Sequence, residues 1–147
     1  MKALILNSGM GTRMGSYTYD KPKCMTKIGN NETILSRQLR LLTKYNVNEI
    51  IMTTGYLDNI LKEYCNSLPF NLKLNFIHNP KYRETNYIYS IYLAREYLND
   101  DLIILHGDLV YSEKVIEKVV HAEKSVMTVS STLPLPEKDF KAVINKN

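Results

Sequence analysis

Leu4-Ile5-Leu6-Asn7-Ser8-Gly9-Met10-Gly11-Thr12-Arg13-Met14 carries an apolar run straight into a turn rich in glycine. The run starts at Lys2-Ala3 and stops at Ser8-Gly9, as a buried strand does where it meets a loop. Glycines at that point let backbone N–H groups come close to phosphate oxygens. Two common phosphate loops fit poorly. A Walker A loop needs a Gly-Lys-Ser/Thr ending, and no such string exists here. A dinucleotide fingerprint needs a third glycine where Met14 stands, and a helix where Tyr17 to Pro22 does not read as one. Its ribose-binding acid would fall near Asn31-Glu32, ahead of a helix instead of after a second strand. A tight turn with surface bases explains the glycines, but not Arg13 together with Lys21-Pro22-Lys23.

Beyond this turn the chain alternates strand and helix patterns. Thr33 to Tyr45 sets Leu35, Leu39 and Leu42 at helical spacing, with Asn31 or Thr33 supplying the cap. Glu49 to Thr54 is the next strand, ended by Gly55, and Asp58 caps a helix carrying Ile60, Leu61, Tyr64 and Cys65. Leu72 to His78 alternates as a strand and ends at Asn79-Pro80. Asn86 to Leu98 places Tyr87, Ile91, Ala94 and Leu98 on one stripe, and Leu102 to Leu105 is the most apolar strand. Ser112 caps a helix with Val115, Ile116, Val119 and Val120, and Ser125 to Ser130 reads as a final strand. Apolar strands between amphipathic helices predict an α/β fold, a three-layer α/β/α sandwich around a mostly parallel sheet, Rossmann-like. Ligands of such sheets lie beyond the carboxyl ends of the strands, so the loops after Asn7, Thr54, His78 and His106 are the ones to watch. The pattern predicts one domain over 1–147. The stretch after Thr132 completes no further element, as in a domain cut short at its C-terminal end.

Composition sets the broad class. A chain of 147 residues, 44% hydrophobic and 23% charged, can bury a core without disulfides or structural metal. Cys24 and Cys65 form no C-x-x-C pair and read as free thiols in a reducing compartment. The N-terminal apolar run, Ala3 to Leu6, is too short for a signal-peptide core, and no segment approaches a membrane span, so a cytoplasmic protein is expected. The net charge of +4 is diffuse, without the basic stripe or module of a nucleic-acid binder. Its densest part, Lys21, Lys23 and Lys27 beside Arg13, points to a small phosphate-bearing ligand.

A strand followed by G-x-G-x-R and then P-K resembles the opening of the sugar-nucleotidyltransferase superfamily. Here it reads Gly9-Met10-Gly11-Thr12-Arg13 and Pro22-Lys23, with Asn7-Ser8 where many relatives carry two alanines. The resemblance implies a nucleotidyltransferase domain in which Asn7, Ser8, Gly9, Met10, Gly11 and Thr12 cradle a nucleotide. It also implies that Arg13 holds the β and γ phosphates and Lys23 the α phosphate. His106-Gly107-Asp108 ends the most apolar strand, and a carboxylate there suits Mg²⁺, which takes one or two carboxylates plus phosphate oxygens. By itself Asp108 reads as well as a turn cap; the resemblance makes it the family's metal aspartate. The family's second metal acid has no good match between Ser130 and Asn147, where Asp139 is the position weighed. Thr54-Gly55-Tyr56 is similar to a glycine-aromatic turn of relatives, which adds Tyr56 to the nucleotide site. Asn86-Tyr87-Ile88-Tyr89-Ser90-Ile91-Tyr92-Leu93-Ala94 resembles a stretch of bacterial phosphocholine cytidylyltransferases, so Thr85, Asn86 and Ser90 meet a base or ribose.

What the resemblance implies is transfer of CMP from CTP to a phosphocholine-like or phosphonate acceptor, with Mg²⁺ and without nucleic acid or membrane. Two other expectations stand beside it: a sugar-1-phosphate nucleotidyltransferase using UTP, dTTP or GTP, and a regulatory module that binds nucleotide without turnover. A quaternary ammonium acceptor would sit over aromatic faces. Of the eleven tyrosines, Tyr111, just past Asp108, is the acceptor contact to test first. The oligomeric state is left open by the sequence.

Overall fold

The computed structural model describes residues 1–29 and 32–130. The strands are β1 (Lys2–Leu6), β2 (Glu49–Thr54), β3 (Lys73–His78) and β4 (Leu102–His106), and the helices are α1 (Ile34–Lys44), α2 (Asp58–Ser67), α3 (Tyr87–Ala94) and α4 (Glu113–Val120). Short 3₁₀ stretches at Thr12–Thr18, Lys23–Met25 and Arg95–Tyr97 complete the elements. The sheet runs β3-β2-β1-β4, and every pair is parallel.

Alternation along β1 explains the layers. Ala3 and Ile5 share one face with Ile50, Met52, Ile103 and Leu105, against Leu35 and Leu39 of α1, Leu61 of α2 and Ile116 of α4. Leu4 and Leu6 face the other way with Ile51, and α3 covers them through Tyr87, Ile91 and Ala94. Helices on both faces of a parallel sheet give the three layers expected. Burying each large aliphatic side chain contributes about 1.5–3 kcal/mol.

Strand order has a consequence for ligands. The chain steps from β1 to β2 to β3 in one direction, then returns to place β4 on the far side of β1. The order therefore reverses between β1 and β4, and the loops leaving their carboxyl ends part to either side of a crevice.

Local chemistry sets the helix starts, with some departures from the sequence reading. Thr33 caps α1: its Oγ1 accepts from the Ser36 N–H at 3.0 Å, while the Ser36 Oγ accepts from the Thr33 N–H at 2.8 Å. Asn31, the alternative cap, lies outside the described residues. Asp58 does not cap α2 but begins it; Leu57 takes the cap position at φ 56°, and the Asp58 carboxylate accepts from Lys62 one turn on at 2.7 Å. A carboxylate in the first turn still complements the helix dipole. Ser112 stands at the N-cap of α4 without a side-chain cap bond; its carbonyl accepts from the Val115 N–H at 3.0 Å. Ser125 to Ser130 is not a strand. Val126, Met127 and Val129 are 56%, 71% and 62% exposed, so this alternating run has neither a partner strand nor a face to cover among the described residues. No described helix is long and apolar enough to cross a membrane.

Candidate active site

A cavity of about 410 Å³ opens at the carboxyl ends of β1 and β4. Residues 7–13 form its floor in one unbroken run. The turn closes tightly: Gly11 sits at φ 68°, and a Cβ there would meet the Thr18 Cγ2 at 3.1 Å. The Thr18 hydroxyl donates to the Gly11 carbonyl at 3.0 Å, and the Met14 N–H donates to that carbonyl at 2.9 Å. Arg13 rides on this 3₁₀ turn, exposed and lining the cavity, with no hydrogen bond or ion pair to another described residue. Its guanidinium is free to meet an anion.

Lys23 reaches the cavity from a second element. Pro22 enters the 3₁₀ turn Lys23–Met25 in extended geometry, and Cys24 buries its side chain in the core at 2% exposure. With Cys24 taken inward, Lys23 is left toward the cavity, where its Nζ lies 2.5 Å from the Asp108 Oδ2. Partial burial pushes the Asp108 carboxyl up, but the Lys23 ammonium outweighs it and holds the group below the ordinary carboxylate range. Asp108 is therefore ionised at neutral pH. It stands two residues beyond β4, where the Gly107 N–H donates to the Leu6 carbonyl at 3.0 Å. A Cβ on Gly107 would fall 1.6 Å from the Asn7 Oδ1, so the Asn7 side chain occupies the space that any other residue at this position would need.

Ser8, Thr85, Asn86 and Ser90 line the opposite wall. Asn86 caps α3 by accepting from the Ile88 N–H at 3.0 Å, and Ser90, one turn later, is buried. The Ser90 hydroxyl donates to the Ser8 Oγ at 2.9 Å, joining α3 to the β1 turn. Two residues chosen from sequence stand elsewhere. The Tyr56 hydroxyl donates to the Tyr19 carbonyl at 3.1 Å, away from the cavity lining. Tyr111 packs against the core on the α1 side of the sheet, where burial pushes its hydroxyl up to about 12. Among the described residues, the tyrosine rings that line the cavity are Tyr82 and Tyr87.

A family described as "Domain of unknown function (DUF6564)" matches residues 20–144. The CTP:phosphoglutamine cytidylyltransferase of Campylobacter jejuni is 32% identical over 135 residues, which is 88% of this chain and 52% of that protein. The CMP-5'-(3-aminopropyl)phosphonate synthase of Streptomyces rubellomurinus is 30% identical over 135 residues, 92% of this chain and 21% of that protein. Among solved structures, the CTP:phosphocholine cytidylyltransferase of Streptococcus pneumoniae superposes with a TM-score of 0.63 at 31% identity, covering 73% of this chain and 44% of that one. The chain belongs to the nucleotidyltransferase superfamily. It spans about half the length of the Campylobacter relative. Proteins of this superfamily generally use a divalent metal.

Seen as a member of that superfamily, the chain has two further residues that hold its site together and that sequence reasoning passed over. Gln38 lies on the buried face of α1, 1% exposed, and its Nε2 donates to the carbonyls of His106 at 3.0 Å and Leu109 at 2.9 Å. Those bonds bracket Asp108. The signal was legible as a single polar residue interrupting the apolar stripe of Leu35, Leu39 and Leu42. Asn79, also 1% exposed, accepts from the Lys81 N–H at 2.9 Å and donates to Thr85 and Ser90, each at 3.0 Å. From sequence, Asn79-Pro80 reads only as a strand stop.

Proposed function

We propose that this chain is the nucleotide-binding part of a cytidylyltransferase, which transfers CMP from CTP to a small phosphorylated or phosphonate acceptor. An oxygen of the acceptor attacks the α phosphorus, the bond to the β phosphate breaks, and pyrophosphate leaves. One observation carries the reading: Arg13, Lys23 and Asp108, from three separate elements, line one cavity with a glycine turn at the reversal of strand order. The relatives of phosphocholine, phosphoglutamine and phosphonate chemistry support CTP as the donor and a small phosphorylated or phosphonate acceptor.

The roles follow from charge. Negative charge builds on the transferred phosphoryl group and on departing pyrophosphate, and fixed cations that meet it lower the barrier. Arg13, without a side-chain hydrogen bond or ion pair to the described residues, suits the β and γ phosphates. Lys23, held at the cavity by its buried neighbour, suits the α phosphate. Asp108 fits Mg²⁺: it is an ionised carboxylate facing the same cavity as both bases, and phosphate oxygens would complete the coordination. Bound there, Mg²⁺ would neutralise triphosphate charge as a Lewis acid. Asp139, the second acid weighed from sequence, lies outside the described residues. Phosphate oxygens are already nucleophilic, so His106, whose ring lies edge-on to Tyr87 at 5.3 Å, has no base to play.

A thermal-shift panel of all nucleoside triphosphates with Mg²⁺ tests the donor, because the true ligand raises the melting temperature by mass action. CTP should give the largest shift. Pyrophosphate release should then be measured with CTP and phosphocholine, a phosphorylated amide or an aminoalkylphosphonate. A larger shift with UTP, dTTP or GTP would replace CTP and favour a sugar-1-phosphate acceptor. Binding of CTP with no turnover on any acceptor would point to a regulatory module.

A further inference from the structure

The wall of the cavity away from Lys23 and Asp108 contains a chain of hydrogen bonds whose direction is fixed at its far end. Buried Asn79 accepts from the backbone N–H of Lys81 at 2.9 Å. An N–H can only donate, so the atom it meets is the amide oxygen, and the side-chain nitrogen must point the other way. That NH₂ group donates to the Thr85 Oγ1 and the Ser90 Oγ, each at 3.0 Å. Thr85 passes its own proton to the Lys81 carbonyl at 2.8 Å, in keeping with this polarity. Ser90, having accepted from Asn79, donates to the Ser8 Oγ at 2.9 Å. Ser8 has then accepted in turn, and no described residue takes its proton. Its hydroxyl lines the cavity as a donor seeking an acceptor.

The strand end says which part of a nucleotide stands there. Successive side chains of β1 point to opposite faces of the sheet. Cys24, next to Lys23, packs in the core on the Ile5 face beneath α1, and Gln38 of α1 holds the turn that carries Asp108, whereas Ser8 is bonded to Ser90 of α3, the helix that covers Leu4 and Leu6. The Lys23–Asp108 pair thus stands toward the α1 side of the sheet and Ser8 toward the α3 side, where its neighbours at the cavity are Thr85, Asn86 and Ser90. This wall carries no formal charge, and it suits a base better than a triphosphate.

Building on the reading of CTP as donor, we propose that the Ser8 hydroxyl is a specificity-determining contact that donates to the cytosine ring at O2 or N3. Asn79 and Ser90 are positioning residues that act through Ser8. Uracil and thymine carry N–H at ring position 3, so a donor aimed there favours cytosine; aimed at O2 it reads any pyrimidine.

Calorimetric titration of the purified protein with CTP and Mg²⁺ tests this. Ser8→Ala should weaken CTP binding about 3–10-fold, the range of one neutral hydrogen bond. Ser90→Ala should weaken it less, and the double variant should bind no worse than Ser8→Ala, since Ser90 acts only through Ser8. The analogues 2-thio-CTP and 3-deaza-CTP separate the two ring atoms. Wild type should discriminate against one of them, and Ser8→Ala should lose that discrimination. If Ser8→Ala binds CTP as wild type does, if the serine effects simply add, or if Ser8→Ala rejects both analogues as wild type does, the Ser8 contact is overturned while CTP binding stands. Failure of wild type to bind CTP at all overturns both readings.

Discussion

The two walls of the cavity are built on opposite plans. On one side, Arg13 and Lys23 reach in from short 3₁₀ turns, and the one polar contact of their side chains with the described residues is the Lys23–Asp108 pair, about a third exposed at each partner. On the other side, Ser8 and Ser90 are tied through Asn79, and both Asn79 and Ser90 are 1% exposed. The difference teaches where the same site spends stability and where it spends chemistry. Cations that must move onto a triphosphate are kept solvated and loosely held, because a buried, fully paired cation would resist transfer. A group that reads shape and hydrogen-bond polarity has to be pinned, because a free hydroxyl donates and accepts equally well.

Exchange of one residue on each wall should separate the two plans. Lys23→Ala should lower turnover at least about 100-fold, the scale of one electrostatic contact to a phosphoryl transition state. It should leave the melting temperature almost unchanged, since a pair this exposed contributes about 0–1 kcal/mol. Asn79→Leu should do the reverse in stability. It strands the Lys81 N–H and unties Ser90, at about 1–3 kcal/mol for a buried polar group left unmatched. Denaturant unfolding and steady-state rates on both variants check the pair; Lys23→Ala with near-normal turnover would remove the charged wall from the chemistry.

Gln38 sharpens the contrast, because it belongs to the core yet serves the charged wall. Gln38→Met keeps volume and apolar packing but leaves the His106 and Leu109 carbonyls without their donor. Stability should fall by about 1–3 kcal/mol. The β4 turn then loses the bonds on either side of Asp108, so Mg²⁺-dependent CTP binding should weaken several-fold more than metal-free binding. Equal weakening with and without metal would confine Gln38 to packing.

These contrasts also show what the sequence could and could not reveal. The sheet was legible because β1, β2 and β4 are apolar on both faces and each meets a glycine or an asparagine at its end. The floor of the site was legible for the same reason: residues 7–13 are contiguous, so local spacing alone puts them together. The pairing of Lys23 with Asp108 spans 85 residues of chain and is settled by strand order, which periodicity does not encode. Tyr111 follows Asp108 closely in sequence, yet the chain leaving β4 turns its ring into the core on the α1 side, while Tyr82 and Tyr87, far away in sequence, arrive at the cavity. Ser125 to Ser130 alternates as a strand should, but alternation stabilises a strand only where a neighbour completes its backbone bonds.

The smallest effect expected is the pH response of the charged wall. Lys23 holds the Asp108 carboxyl below its ordinary value despite partial burial. A carboxyl whose pKa is depressed in the folded state contributes stability above its unfolded pKa and loses it as pH falls through the lower folded value. Wild type and Asp108→Asn should therefore differ in melting temperature by a constant, small amount from pH 5 to 8. That difference should shrink only below about pH 4, near the unfolded value of an aspartate. A difference that instead changes between pH 5 and 8 would mean that Asp108 titrates near neutrality, which an ammonium 2.5 Å away does not permit. The neutral wall supplies the control: Ser8→Ala alters no charge, so its melting temperature should track wild type across the same range.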